Sequence, residues 1–263
     1  MEVDYYKKLF QTIGNIIELI EKDDMPKYLL FLENAFPYMD NYNYHKGMKE
    51  IIQELKVLLK TKSIGTDSDR ALLLDFQATL ETKPEKAIKL EKDALAQIEN
   101  ITADNARLVS NLHANLGGLY RMNGYPDLAR EHMEKSISLL DQFNLLHIND
   151  SIPQIANYAM FLTEQQEPER GISELQKLSG IIKEYHSDDC LDYAKVQETL
   201  GTIYLMTANL PQAKTHFKRA FKIYEKIWAD EPEMIEAKYQ EIQELYPQIG
   251  FCIGKKLSGL LTK

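Results

Sequence analysis

Apolar residues recur along this chain at intervals of three and four, the spacing that places side chains on one face of an α-helix. Residues 3–22 give an example, with one apolar stripe made of Val3, Tyr6, Leu9, Phe10, Ile13, Ile16, Ile17 and Ile20. The spacing continues through the chain and is broken by short turns that contain Pro, Gly or Asn. It predicts about thirteen helices and no strand, and therefore an all-α fold.

A repeat of 42 residues underlies this pattern. Leu116, Gly117 and Tyr120 in a first helix are followed by the small Ala129 and the large Met133 in a second helix. The equivalent residues 84 positions later are Leu200, Gly201, Tyr204, Ala213 and Phe217. The copy 42 positions after the first set keeps most of the pattern, and the copy 42 positions before it, at residues 74–94, is the weakest. Small residues allow two helices to cross closely, so the pattern predicts antiparallel helix pairs.

Proline marks the start of each second helix. Pro84, Pro126, Pro168 and Pro211 each follow a turn. At the first helical turn the missing N–H of proline costs nothing, so we expect each of them just inside a helix.

This pattern resembles the tetratricopeptide repeat. The residues that carry the resemblance are Leu116, Gly117, Tyr120, Ala129, Leu200, Gly201, Tyr204, Ala213, Phe217 and Ala220. The common repeat has a period of 34 residues, whereas the period of 42 is similar to the longer-helix variant of kinesin light chains and related bacterial proteins. The resemblance covers residues 66–230 and implies a right-handed α-solenoid of antiparallel helix pairs. It implies a fold and no particular activity.

The repeat predicts three segments. Residues 1–65 form N-terminal helices with a degenerate first repeat, residues 66–230 form four repeats, and residues 231–263 form a capping helix pair. The last helix, near residues 248–262, carries one apolar face: Ile249, Ile253, Leu257, Leu260 and Leu261. Two interpretations of that face stay open. It either packs on the preceding pair as a cap or is partly exposed and forms a homodimer.

Composition narrows the class of partner. The net charge of -9 and the pI near 5.3 argue against sequence-independent binding to nucleic acid and to anionic membrane surfaces, and favour a basic or neutral partner. Two distant cysteines, Cys190 and Cys252, form no disulfide framework and indicate a reducing compartment. No stretch resembles a secretory signal or a membrane-spanning segment. We therefore expect a cytoplasmic protein.

Asparagine recurs at the position directly before the large residue of the signature. Asn115 and Asn157 lie there, 42 residues apart, and Leu73 and Thr199 fill the position in the flanking repeats. The resemblance to kinesin light chains and bacterial peptide-sensing proteins implies that this position contacts the backbone of a peptide in a concave groove. A side-chain amide offers one acceptor and two donors, which match a peptide unit. Hydrogen bonds between neighbouring helices, or contact with water, stay open as alternatives.

The predicted peptide-binding groove includes further side chains of the first helices. The full set is Asn111, Asn115, Arg121, Asn157, Lys195, Thr199 and Thr202. Arg121 and Lys195 alone do not reproduce the basic clamp with which some tetratricopeptide domains hold chaperone tails.

No residue spacing indicates catalysis, a cofactor or a metal. The sequence has no phosphate-binding glycine loop and no nucleophile elbow in a useful context. His186 stands near Asp188, Asp189 and Cys190, but this position predicts a helix cap, made by Ser187, Asp188 or Asp189, before a helix that begins near Leu191. We therefore expect no enzyme activity, no cofactor and no bound metal.

Three histidines have positions that indicate packing. His113 lies on the inner face of a first helix, and His132 and His216 share one position of the second helix. A structural role is expected for all three.

The sequence therefore favours a non-catalytic scaffold that binds a peptide or protein segment in the groove of a helical solenoid. Two other functions stay open. One is a ligand-regulated sensor in a peptide-responsive signalling system, and the other is self-assembly through the C-terminal helix.

Overall fold

The structure is a computed structural model and describes residues 24–41, 44–62, 64–148 and 151–245. These residues form eleven α-helices and contain no strand. The predicted all-α fold is thereby confirmed for the described part of the chain. The helices predicted at residues 3–22 and 248–262, with the C-terminal apolar face, lie outside the described residues.

The chain divides into two compact units, one ending at Phe143 and the other beginning at Asn144. The helices of the first unit are α1 (Met25–Asn41), α2 (His45–Thr61), α3 (Asp67–Thr79), α4 (Pro84–Leu95), α5 (Ala106–Met122) and α6 (Pro126–Gln142). Those of the second unit are α7 (Ser151–Glu164), α8 (Pro168–Tyr185), α9 (Leu191–Met206), α10 (Leu210–Ile227) and α11 (Pro232–Leu245). The segment boundaries expected at residues 65 and 230 stay a prediction.

Consecutive helices form pairs within each unit. In the first unit α3 packs on α4 and α5 on α6, and in the second unit α7 packs on α8 and α9 on α10. Short turns join the two helices of each pair, so they run in opposite directions. First helices also contact one another, α3 with α5 and α7 with α9. This arrangement gives each unit a row of first helices.

Turns of one type join the two helices in three of these pairs. The central residue has a positive φ and recurs every 42 residues, as Gly124 (77°), Gln166 (65°) and Ala208 (59°). The next N–H then donates to the carbonyl five residues earlier, from Tyr125 to Tyr120, from Glu167 to Leu162 and from Asn209 to Tyr204, at 2.7–2.9 Å. This pattern is the Schellman motif, which satisfies the last carbonyls of a helix.

The predicted proline positions are confirmed. Pro84, Pro126 and Pro168 begin α4, α6 and α8, and Pro211 is the second residue of α10. The backbone therefore enters each second helix with φ already fixed.

Small residues of the repeat signature allow the two helices of a pair to approach closely, as the sequence pattern predicts. A Cβ atom on Gly117 would lie 2.6 Å from Cγ of Met133, and one on Gly201 would lie 2.8 Å from the ring of Phe217. Both distances are shorter than a van der Waals contact, so glycine is required where α5 meets α6 and where α9 meets α10.

The N-terminal end of α9 differs from the prediction. Cys190 is the N-cap, and its Sγ accepts a hydrogen bond from the N–H of Tyr193 at 3.4 Å. The prediction that Ser187, Asp188 or Asp189 caps this helix is wrong. Asp189 instead forms an ion pair with Lys226.

Candidate protein-binding faces

Two of the predicted groove residues share one face of α5. Asn111 and Asn115 are four residues apart, which is about one helical turn. Asn111 is half-buried and Asn115 is exposed. The opposite side of the helix is held in the core by Val109, Leu112, Leu116 and Tyr120. The asparagines therefore point away from the core of the first unit.

Asn115 is bound by carboxyl groups of the preceding helix pair. Its amide nitrogen donates to Oδ1 of Asp75 on α3 at 2.8 Å and to Oε1 of Glu91 on α4 at 3.3 Å. Hydrogen bonding between neighbouring helices, one of the interpretations left open, is therefore what Asn115 does in this structure. Its contact with a peptide stays a prediction.

Asp75 and Glu91 lie close together. Each accepts a hydrogen bond from the same side-chain nitrogen of Asn115, and Oε2 of Glu91 is buried with no hydrogen-bond partner among the described residues. Only 2% of Glu91 is exposed, and burial, followed by the charge of Asp75, raises the pKa of Glu91 to about 10. Burial also raises the pKa of Asp75. At neutral pH Glu91 therefore keeps its proton.

This carboxyl pair stands where other repeats have their closest apolar contact. Asp75 lies 42 residues before Gly117, and Glu91 lies 42 residues before Met133. Two acids that bind the same asparagine thus replace the contact between a small and a large residue. Sequence reasoning missed this cluster, although the weak match at residues 74–94 was the signal that could have revealed it.

Asn157 has different surroundings. It is exposed on α7, and its side chain makes no hydrogen bond to any of the described residues. The helix is anchored by Ile155, Tyr158, Phe161 and Leu162, which are at most 3% exposed. The amide of Asn157 is therefore available to a ligand.

Three predicted residues lie along one face of α9, the first helix next to α7. Lys195, Thr199 and Thr202 are spaced by four and three residues. Lys195 is exposed and lies 3.7 Å from the carboxylate of Asp192. The hydroxyl of Thr199 donates to the carbonyl of Lys195 at 3.0 Å, and that of Thr202 donates to the carbonyl of Glu198 at 3.1 Å. Both hydroxyl oxygens keep lone pairs that can accept a hydrogen bond from a ligand.

Arg121 is not on the asparagine face. It is half-buried in the last turn of α5, and helix geometry places it roughly 120° around the axis from Asn115. The structure therefore brings together Asn111 with Asn115 in the first unit, and places Asn157 beside the α9 row in the second.

A histidine links the two helices of a pair at the same repeat position in both units. His132 of α6 stacks on Tyr120 with ring centroids 5.4 Å apart, and its Nδ1 lies 2.9 Å from Nδ1 of His113. The equivalent set lies 84 residues later. His216 stacks on Tyr204 with ring centroids 5.3 Å apart, and its Nδ1 lies 2.9 Å from Oε1 of Gln197.

Burial makes these histidines neutral. It lowers the pKa of His113 to about 4, and it is also the main cause of the lowered pKa values of His132 and His216. The interhelical contacts give all three the structural role that their repeat positions predict.

Within residues 24–41, 44–62, 64–148 and 151–245, no three His, Cys, Asp or Glu side chains converge on a point that could hold a metal ion. Among the helices formed by these residues, none combines the length and the apolar character needed to span a bilayer.

The match to a family model lies in the second unit. Residues 151–226 match the family model of the tetratricopeptide repeat, and this stretch contains α7 to α10. No curated protein matches the chain significantly.

Solved structures share the fold along most of the chain. A protein of Podosopora anserina, described as a kinesin light chain with nearly identical TPR-like repeats, is 14% identical, with a TM-score of 0.56 over 74% of this chain and 96% of that one. A single-residue variant of it is 13% identical, with a TM-score of 0.58 over 77% and 98%. BtubC (BKLC) from P. vanneervenii is 17% identical, with a TM-score of 0.51 over 77% of this chain and 74% of that one. At these identities the likeness shows the fold alone.

The tetratricopeptide fold is typical of proteins that bind other proteins, and its members are generally non-catalytic scaffolds. The 42-residue signature, the paired helices, the family match and the shared fold lead to one conclusion: residues 151–226 are tetratricopeptide repeats, and the described chain has the fold of a helical-repeat solenoid.

Proposed function

We propose that this protein is a non-catalytic scaffold that binds an extended segment of a partner protein along the first helices of its second unit. The binding face consists of Asn157 on α7 and of Lys195, Thr199 and Thr202 on α9. The observation that carries the proposal is the free amide of Asn157, exposed on a helix that is otherwise anchored in the core.

The chemistry of this face suits a polypeptide main chain. The amide of Asn157 can donate to a peptide carbonyl and accept from a peptide N–H at the same time. The hydroxyl oxygens of Thr199 and Thr202 can accept from further N–H groups, and Lys195 adds a cation for an acidic side chain. Because the helices are already packed, binding orders few protein groups, which lowers its entropic cost.

The face of α5, considered within the first unit by itself, is a weaker candidate contact for a peptide. A peptide that contacts Asn115 must compete with the hydrogen bonds to Asp75 and Glu91. We therefore expect Asn115 to contribute less binding free energy than Asn157.

The proposal is tested by capturing partners from a lysate of the native cell and then measuring each purified partner's affinity. The test variant is Asn157→Ala with Lys195→Ala, and the matched control is Lys218→Ala with Lys222→Ala on the exposed side of α10. We expect the test variant to weaken binding about tenfold or more, with an unchanged thermal midpoint, and the control to bind like the wild type. A partner held equally by both variants excludes this face.

The remaining functional interpretations stay predictions. Self-assembly depends on residues 248–263, which lie outside the described residues, and a sensor role depends on a ligand that is still to be found. Light scattering of a chain lacking residues 248–263 tests the first, because an unchanged mass excludes that helix as the dimer contact. The expected cytoplasmic location is likewise a prediction.

A further inference from the structure

Basic and acidic residues lie on different sides of α2. Lys49, Gln53, Lys56 and Lys60 follow a spacing of four, three and four residues, so they form one exposed row. The acidic residues of this helix lie elsewhere: Glu50 is 3.7 Å from Lys46, and Glu54 faces Tyr28 of α1. The exposed row is therefore basic, although the whole chain carries a net charge of -9.

A second row on α3 faces the first and completes a groove. It consists of Arg70, Leu74 and Gln77 at helical spacing, and Glu81, two residues after the end of α3, continues it. Nζ of Lys56 donates to Oε1 of Gln77 at 2.6 Å, which ties the two rows together near their middle. At one end the charge of Lys49 acts on Glu81, and at the other end Lys60 and Arg70 line the same cavity.

The groove contains two cavities, one on each side of the hydrogen bond between Lys56 and Gln77. One cavity is about 410 Å³, and its lining is Lys56, Leu59, Lys60, Arg70, Leu73, Leu74 and Gln97. The other is about 290 Å³, and its lining is Lys49, Ile52, Gln53, Gln77, Leu80, Glu81, Thr82 and Leu90. The larger cavity thus has leucines at its base and cations at its edge, and its volume lies in the range of ligand-binding clefts.

Two of the three cations that line the larger cavity have no ion pair with the described part of the chain. Arg70 forms an ion pair with Asp67. Neither Lys56 nor Lys60 has a described carboxylate within ion-pair distance, and the one polar partner of Lys56 is the neutral amide of Gln77. A ligand that supplies negative charge here would therefore meet two lysines without an ion pair, of which Lys56 is held by Gln77.

We propose that the groove between α2 and α3 is a second binding site, which takes an acidic, extended segment of a partner protein. One large apolar side chain of that segment enters the cavity over Leu59, Leu73 and Leu74, and acidic residues on both sides of it pair with Lys56 and Lys60. Eleven residues separate Lys49 from Lys60, so the basic row is about 16 Å long and matches about five extended residues. The site lies wholly within the first unit and is independent of the face that contains Asn157.

Fluorescence anisotropy of the full chain with a labelled peptide, Asp-Glu-Phe-Asp-Glu, tests this site. Two peptide controls separate its parts: Asn-Gln-Phe-Asn-Gln removes the charge, and Asp-Glu-Ala-Asp-Glu removes the apolar side chain. The groove variant is Lys56→Glu with Lys60→Glu. The control variant, Lys218→Glu with Lys222→Glu, makes the same change of net charge at the same spacing on an exposed helix of the second unit.

We expect the groove variant and both control peptides to weaken binding about tenfold or more, while the control variant and Asn157→Ala bind like the wild type. Equal weakening by the two charge-reversal variants would mean that the peptide senses only net charge, and this overturns the proposal. The proposal is also overturned if the peptide does not bind at protein concentrations up to about 1 mM, or if Asn157→Ala loses binding. A ten-nucleotide oligothymidylate that binds as tightly as the peptide would overturn it as well.

Discussion

Asn115 and Asn157 occupy the same repeat position, 42 residues apart, and yet their side chains have different surroundings. Asn115 is bound to Asp75 and Glu91, whereas Asn157 is exposed and makes no hydrogen bond to a described residue. The repeat positions that hold the two acids carry Gly117 and Met133 in the next repeat, neither of which offers an oxygen on its side chain. A single repeat position therefore holds a structural residue in one unit and a candidate ligand contact in the other.

The raised pKa of Glu91 predicts a particular pH dependence of the protein's stability. The folded-state pKa of Glu91, about 10, lies above its value of about 4.3 in an unfolded chain. The stabilisation linked to this proton is thus complete below about pH 4, decreases as the pH rises between the two pKa values, and is fully lost above the folded-state value. Between pH 6 and pH 9 the free energy of unfolding should fall by up to about 1.4 kcal/mol per pH unit, the value for one proton.

Urea unfolding followed by circular dichroism at pH 6, 7.5 and 9 measures this dependence. Glu91→Gln keeps a hydrogen-bonding group of the same size and removes the titration, so its unfolding midpoint should change less with pH than that of the wild type. Parallel pH dependences for the two proteins would show that Glu91 keeps no proton in the folded state.

Helix pairs are the level at which the sequence was most informative. The 42-residue period predicts the helices, the prolines that begin α4, α6 and α8, and the need for a small residue at position 117. The recurring turn was less visible, because Gln166 and Ala208 adopt a positive φ that only Gly124 signals by its residue type. The cap of α9 was also predicted wrongly, since its true residue, Cys190, is an uncommon capping residue.

Adjacent glycines of α5 provide a matched test of this packing. A methyl group on Gly117 would meet Met133 at 2.6 Å, whereas one on Gly118 has nothing within 4 Å. Gly117→Ala should therefore destabilise the protein by about 1–3 kcal/mol through overpacking, and Gly118→Ala should stabilise it by about 0.5–1 kcal/mol through helix propensity. Thermal and urea unfolding measure both changes. If the two substitutions change stability in the same direction, the close contact between α5 and α6 is not as described.

Charge is distributed unevenly over the molecule, so the net charge does not describe every part of its surface. A net charge of -9 favours a basic or neutral partner, but the row of lysines on α2 creates a local surface of the opposite sign. Fold class followed from periodicity alone, because helix spacing depends on local sequence. Periodicity could not show which groove residues are available to a ligand. That depends on side chains such as Glu91, which are brought near Asn115 only by folding.

Photo-crosslinking tests the central claim most directly, namely that the first helices of the second unit bind a partner protein. A photoreactive amino acid is placed at position 157 or 199 and, as a control on α10, at position 218, and each protein is irradiated in a lysate of the native cell. The account predicts that positions 157 and 199 capture the same protein and that position 218 does not. Capture of one protein from all three positions, or from position 218 alone, would contradict it.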